Sequence, residues 1–310
     1  MIEAKNLTKQ FDGFTALNHV SCRISRGSIY GMVGSNGAGK STFLRIITGI
    51  YRQDAGSVEI DGAPVFDNPA VKSRLLLIPD ELFFLPGASM NRMADCYRAF
   101  YPSFDRKRFE HLTKRFKLDP GKPIRGFSKG MRRQAAIILA LSCRPDYYFF
   151  DETFDGLDPV MRNLVKGLIC EDVADRNAAA IITSHSLREL ENLCDQLALL
   201  HEGGILLQSD VENLKTSLFK VQVAFSRPFG KELFAGLSYL QYEQSGSVAN
   251  LIVRGAQEET LAFLRRLTPV LLDVVPLSLE EVFLYEMRGI GYTFDEILEE
   301  EEEADEKESI

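Results

Sequence analysis

Apolar residues in this chain fall into short unbroken runs, alternating stretches and stripes of helical spacing, a mixture that predicts an α/β protein. Ile29-Tyr30-Gly31-Met32-Val33, Leu75-Leu76-Leu77-Ile78, Tyr147-Tyr148-Phe149-Phe150 and Ala178-Ala179-Ala180-Ile181-Ile182 are runs expected of buried strands, the second stopped by Pro79 and ending at Asp80. Partial alternation predicts a strand over residues 2–9 with a turn at Asp12-Gly13, and another over 57–60 with a turn at Asp61-Gly62. Phe43, Leu44, Ile46, Ile47 and Ile50 are spaced as on one helix, and Ala135, Ala136, Ile138, Leu139 and Leu141 as on another.

Between residues 89 and 117 the pattern turns helical and basic, with eight Lys or Arg against three acids from Arg92 to Lys117 and six interleaved aromatics. Such a segment can bind nucleic acid or be a small helical subdomain with an aromatic core, and the second is the reading favoured here, over about residues 87–122. Pro120, Gly121 and Pro123 punctuate the linker behind it. The domain with all these runs is expected to end near Lys215. Beyond it Val221, Val223 and Phe225 alternate, 258–267 is helix-like and 271–275 strand-like, and Ser278-Leu279-Glu280-Glu281 has the capping-box form that opens a last helix. Residues 216–289 therefore read as a small α+β domain without a catalytic constellation.

Charge changes the picture at one end. The net charge of −8 is misleading, because residues 295–308 hold ten acids and one lysine, and the body is close to neutral. Such a run repels itself and buries nothing, so residues 290–310 are expected to be a disordered tail. No uncharged apolar stretch approaches the roughly 18 to 20 residues that span a bilayer, and Met1-Ile2-Glu3-Ala4-Lys5 lacks a signal-peptide core, so a cytosolic chain is expected unless a partner recruits it. Cys22, Cys96, Cys143, Cys170 and Cys194 are far apart and form no C-x-x-C pair, which favours reduced, mostly buried thiols over a disulfide framework or zinc site.

The chemistry centres on Gly34-Ser35-Asn36-Gly37-Ala38-Gly39-Lys40-Ser41-Thr42, which fits the G-x-x-x-x-G-K-[ST] phosphate-binding pattern between a strand and a helix. The glycines allow a tight turn that aims N–H groups at phosphate oxygens, and the following helix adds the positive end of its dipole. Lys40 can reach the β- and γ-phosphates, the Ser41 hydroxyl can ligand Mg²⁺, and Thr42 is available to a further phosphate. The expected ligand is a nucleoside triphosphate with magnesium. The strand over 147–150 delivers Asp151 and Glu152, one suited to a magnesium shell and the other to taking a proton from water. The next apolar run delivers His185, so three strands are expected to bring Gly34, Asp151 and His185 to one edge of a parallel sheet. Phe11 can stack on a nucleobase or sit in the core, and Ser128 with Gly130 forms either a second anion-binding helix start or a simple cap.

Taken in order, these motifs resemble the ATP-binding subunit of an ABC transporter over residues 1 to about 215. Gly34 to Thr42 is similar to the Walker A motif, Tyr147 to Asp151 to the Walker B strand, and Glu152 to the catalytic glutamate beside it. Phe127-Ser128-Lys129-Gly130-Met131 occupies the place of the signature usually written LSGGQ, Asp155-Gly156-Leu157-Asp158 resembles the D-loop, His185 the switch histidine and Phe11 the adenine-stacking aromatic. The resemblance implies a P-loop NTPase core of ABC type with a helical subdomain, using ATP and Mg²⁺. Two such subunits, identical or different, would sandwich two ATP molecules. Glu152 would polarise the attacking water, His185 and Lys40 would hold the γ-phosphate, and Ser128 and Gly130 would meet the γ-phosphate of the opposite subunit. Asp158 would connect the two sites. It further implies an integral-membrane permease as partner, placing the subunit on the cytoplasmic face, with no nucleic acid expected.

Two departures stand out. The family usually has glutamine after the strand that ends at Pro79, where this chain has Asp80, which can still touch magnesium or its water but adds a charge. Phe127, Lys129 and Met131 are substitutions within the signature. The segment Pro276 to Leu284 resembles the C-terminal extension of exporter-type ATPases with a separate permease, and Tyr101-Pro102-Ser103-Phe104-Asp105 resembles a subgroup found in Gram-positive bacteria. The alternative function is a soluble ABC-type ATPase acting on nucleic acid or ribosomes; against it stands the lack of a second cassette or a coiled-coil insertion. A non-hydrolysing binder conflicts with the presence of Glu152 and His185. For permease docking, the apolar cluster Leu82-Phe83-Phe84-Leu85 is the candidate patch, with Phe84 as its expected anchor.

Overall fold

The alternating start of the chain folds as a hairpin. In the computed structural model, which describes residues 1–289, β1 (Ile2–Phe11) turns through Asp12 and Gly13 into β2 (Phe14–Ile24), with Phe11 paired to Phe14. The wholly buried β3 (Ile29–Val33) leads through the glycine-rich loop to α1 (Lys40–Ile47). β4 (Ala55–Ile60) pairs antiparallel with β1 and then with β5 (Ala63–Pro64), giving a sheet of order β2-β1-β4-β5. The single turn α2 (Pro69–Lys72) precedes β6 (Leu75–Ile78), which stops at Pro79 as the missing N–H requires.

Two helices follow, each begun by a side-chain cap. Ser89 accepts from the Arg92 N–H at 3.3 Å to start α3 (Met90–Phe100), and Asp105 accepts from the Arg108 N–H at 2.9 Å to start α4 (Arg106–Arg115). Phe109 and Phe116 are buried, Tyr97 stacks on Tyr101, and Phe104 packs against Phe109, so most of the interleaved aromatics are the core of this helical segment. Several of its basic groups face acids: Arg106 lies 3.3 Å from Glu110 and Arg108 lies 2.8 Å from the buried Asp172. Ser128 caps α5 (Lys129–Cys143) by accepting from the Met131 N–H at 3.2 Å.

The remainder of the first unit alternates strand and helix: β7 (Tyr147–Asp151), α6 (Pro159–Arg176), β8 (Ala179–Ser184), α7 (Leu187–Leu190), β9 (Gln196–His201) and β10 (Gly204–Asp210). They complete a six-stranded sheet of order β10-β9-β3-β8-β7-β6, in which β9, β3, β8, β7 and β6 run parallel. Every residue of β7 is buried, as a strand covered on both faces must be, and the Tyr147 hydroxyl donates to Asp61 while that of Tyr148 donates to Asp172. Tyr30, Met32, Phe149 and Ile181 join Phe43, Leu44, Ile46 and Ile47 of α1 and Leu7, Leu17 and Val20 of the hairpin in one buried cluster. Each such side chain contributes about 1.5–3 kcal/mol on leaving water, so α1 and the loop ahead of it are held from both sheets. The cysteines are free thiols: Cys22, Cys143 and Cys194 are buried, Cys96 half-buried and Cys170 exposed, and burial pushes the Cys22 thiol up to about 12.

A second unit begins at Ser209. It contains α8 (Val211–Ser217), β11 (Leu218–Ala224), β12 (Tyr239–Ser245), β13 (Val248–Arg254), α9 (Gln257–Arg266), β14 (Leu271–Val275) and α10 (Leu279–Gly289). The division falls ahead of α8 and not after Lys215, because that helix packs on β11 and α10. Its four strands are antiparallel in the order β12-β13-β11-β14, around Val221, Val223, Leu251, Val253, Phe234 and Leu264. The capping box is made in both directions, with the Glu281 N–H on Ser278 Oγ at 3.2 Å and the Ser278 N–H on Glu281 Oε2 at 2.8 Å. The acidic stretch 290–310 lies outside the described residues.

Candidate active site

Because β3, β8, β7 and β6 are adjacent and parallel, everything that follows their carboxyl ends meets along one edge. After β3 comes the loop from Gly34 to Gly39, and its last residue cannot be other than glycine. Gly39 has φ 106°, and a Cβ there would lie 2.5 Å from the Ala16 carbonyl oxygen. Gly34 and Ala38 are buried behind the loop, while Ser35, Asn36, Gly37, Gly39, Lys40, Ser41 and Thr42 line a cleft.

Lys40 opens α1 and is itself buried. Its Nζ donates to the carbonyls of Gly34 at 2.6 Å and Ser35 at 3.0 Å and stands 3.1 Å from Glu152 Oε1, an ion pair whose alignment falls short of a hydrogen bond. At the end of β7, Asp151 is 2% exposed and accepts from the Thr183 hydroxyl at 2.8 Å. The same hydroxyl accepts from the Glu152 N–H at 3.3 Å. Glu152 follows with φ 43°, a left-handed conformation rare for a residue with a Cβ. That bend turns its carboxylate from the strand towards the loop and β8. Its Oε2 accepts from the His185 N–H at 3.3 Å and lies 3.1 Å from His185 Nδ1, with Asp155 Oδ2 at 4.0 Å from the same nitrogen. Behind the histidine, Ser184 Oγ donates to the buried Glu189 at 2.9 Å and accepts from the Ser186 N–H at 3.0 Å.

The cleft therefore presents one lysine, loop N–H groups, the Ser41 hydroxyl and the carboxylates of Asp80 and Glu152, with the Asp151 carboxyl beside Glu152 at the end of β7. Oxygen donors of this kind suit a hard cation such as Mg²⁺, and the lysine with a helix N-terminus suits phosphate. Phe11 lies at the mouth, 38% exposed, with its ring edge-to-face on Tyr51 at 5.6 Å between centroids, and Lys9 Nζ is 5.1 Å from its centroid.

Ser128, Gly130 and Asp158 are not among the groups lining this cleft. Ser128 caps α5, and Asp158 caps α6 by accepting from the Val160 and Met161 N–H groups, both at 3.0 Å. Gly130 sits against the loop ahead of Asp158, where a Cβ would lie 2.9 Å from the Gly156 carbonyl oxygen. Three residues were not singled out by sequence reasoning. Phe14 lines the mouth opposite its hairpin partner Phe11, and it is 62% exposed. Thr183 supports Asp151 and Glu152, and Arg133 holds Asp80. Only Phe14 carried a signal, since an aromatic just past a two-residue turn pairs across it.

The apolar cluster after β6 is exposed, but its outward ring is Phe83, 76% exposed, and not Phe84, which is half-buried. Alternation along this segment decides which ring faces out.

The ABC transporter family profile matches residues 17–155. Over 289 residues the chain is 32% identical to the ABC transporter ATP-binding protein YtrB of Bacillus subtilis, covering 93% of this chain and 99% of that protein. It is 29% identical over 228 residues to the bacitracin transport ATP-binding protein BcrA of Bacillus licheniformis, covering 69% of this chain and 71% of the relative. A solved structure described as the ATP-binding subunit of an ABC transporter superposes with a TM-score of 0.64 at 25% identity, over 69% of this chain and 92% of that one.

Proposed function

Since the chain belongs to the ATP-binding subunits of ABC transporters, a family that hydrolyses ATP to drive transport, we propose that it works in pairs beneath a separate membrane permease and drives export. The observation that carries the assignment of roles is the seat of Glu152, whose carboxylate lies 3.1 Å from Lys40 Nζ on one side and 3.1 Å from His185 Nδ1 on the other. A base at that point stands beside both groups that hold the terminal phosphate.

In this reading Lys40 and His185 hold the γ-phosphate, loop N–H groups from Ser35 to Thr42 hold the β-phosphate, and Phe11 stacks on adenine. Glu152 accepts a proton from the attacking water at its carboxylate oxygen. Ser41, Asp151 and Asp80 hold magnesium, which when bound neutralises phosphate charge. The Thr183 hydroxyl donates to the Asp151 carboxyl, so its orientation is set before nucleotide arrives. Ser128 and Gly130 lie outside their own cleft, which supports a use in the site of a second subunit, with Asp158 linking the two. The test is sedimentation of Glu152→Gln with and without ATP: ATP-driven dimers are expected, and monomers in both conditions at high protein concentration would sink the pairing.

Among the described residues no helix is long and apolar enough to cross a membrane. Recruitment to the cytoplasmic face is thus proposed to run through the permease, with exposed Phe83 and Leu85 as anchors. Phe83→Asp should leave the chain folded but abolish its recovery with a membrane protein from detergent extracts. Export as the direction is supported by the C-terminal segment 276–284, which resembles the extension of exporter-type ATPases.

A further inference from the structure

Asp80 replaces an expected amide, and the fold supplies a partner for its charge. Arg133 projects from α5, five residues beyond the cap Ser128, and is 3% exposed. Its Nη2 donates to Asp80 Oδ1 at 2.8 Å, and its Nη1 donates to the carbonyls of Asp80 at 3.0 Å and Pro79 at 3.2 Å. All three acceptors belong to the two residues that follow β6. Asp80 in turn is 61% exposed along its side chain and lines the nucleotide cleft together with Lys40, Ser41 and Glu152.

A buried guanidinium needs an anion. Two carbonyls satisfy donors but leave the charge uncompensated, and an amide at position 80 would do no better, whereas a carboxylate answers both needs. Oδ1 is committed to Arg133, and Oδ2 makes no hydrogen bond to any described residue. One carboxylate therefore has an oxygen on the buried arginine and an oxygen left for the cleft, while the planar guanidinium is held by its spread over Asp80 Oδ1 and the two carbonyls.

Resting on the nucleotide reading of the cleft, we propose that Arg133 is a positioning residue that aims Asp80 at the magnesium shell and ties the start of α5 to metal occupancy. When the cation draws on Asp80 Oδ2, the pair moves together, because separating them strands a buried charge. Ser128 and Gly130 begin the same helix, so the segment destined for the second subunit registers the metal in its own.

The experiment uses the full chain loaded with ADP, with Mn²⁺ as the paramagnetic stand-in for magnesium, and reads two quantities. Electron paramagnetic resonance gives Mn²⁺ affinity, and amide hydrogen exchange over residues 126–134 gives the response of the helix start. Asp80→Asn, on the exposed side of the pair, should weaken Mn²⁺ roughly tenfold, the size of one charge-assisted contact, and abolish the exchange response. Arg133→Lys keeps the charge but loses the fork, and should weaken Mn²⁺ severalfold with ADP affinity in chelator unchanged. Parental Mn²⁺ affinity in Asp80→Asn, or an exchange response that survives there, overturns the proposal, even if Arg133→Lys fails to fold. Failure of the parent chain to bind ADP at all would instead overturn the nucleotide reading.

Discussion

The two units are built on different sheets, and the difference decides where chemistry can be placed. In the first, β3, β6, β7 and β8 point the same way, so the residues after each of them converge on one edge: the phosphate loop, Asp80, Asp151 with Glu152, and His185. In the second, neighbouring strands run in opposite directions, so β11 and β12 end at one edge and β13 and β14 at the other, and no gathering of four strand ends arises. A parallel sheet concentrates its strand ends; an antiparallel one disperses them. The helices required to return the chain between parallel strands serve too, since α1 brings its N-terminus to the same edge and α5 brings Arg133.

The contrast can be broken by substitutions of graded size. Glu152→Gln removes the proton acceptor and keeps its shape, so steady-state hydrolysis should fall by about 10²–10⁴-fold while ATP still binds. Turnover near the parental rate would remove Glu152 from the base's role. Lys40→Ala deletes a charge-assisted phosphate contact of about 1.5–3 kcal/mol and should weaken ATP roughly ten- to hundredfold, read by direct titration. Thr183→Ala leaves the buried Asp151 without its hydroxyl donor. About 1–3 kcal/mol of stability and a severalfold part of the turnover should go together, checked by urea unfolding beside a hydrolysis assay. In the second unit Ser278→Ala removes a helix cap worth about 1 kcal/mol, speeding hydrogen exchange across α10 with hydrolysis by the free chain unaltered. A loss of hydrolysis there would show that the units are not chemically separable.

Much of the first unit was readable because its strands are buried on both faces and announce themselves as runs: Leu75–Ile78 ends where Pro79 requires, and the four residues before Asp151 are all aromatic. Local rules carried equally well where one side chain meets one backbone group, as at Ser128 and in the box of Ser278 with Glu281. What escaped was pairing between distant segments. β12 lies at a sheet edge with Tyr239, Gln241 and Tyr242 only half-buried, so its pattern has no clean period. Thr183 serves Asp151 and Glu152 across neighbouring strands, and Arg133 reaches Asp80 over fifty-three positions. Neither has any mark in its own neighbourhood of the chain. The ring expected to face outward, Phe84, is half-buried and its neighbour Phe83 is exposed, because exposure alternates along this segment and a shift of one residue exchanges inside for outside.

The left-handed backbone at Glu152 stores strain that the neighbouring charges hold in place. A side chain at φ 43° costs about 1–2 kcal/mol relative to glycine, and glycine's extra freedom in the unfolded chain takes back roughly 0.5–1 kcal/mol. Glu152→Gly relieves that small net strain but strands the buried Lys40 ammonium without its anion, a loss of about 3–5 kcal/mol. The variant should therefore melt below the parent as well as lose turnover, so thermal selection and catalysis both retain an acid in a conformation that glycine alone would find easy.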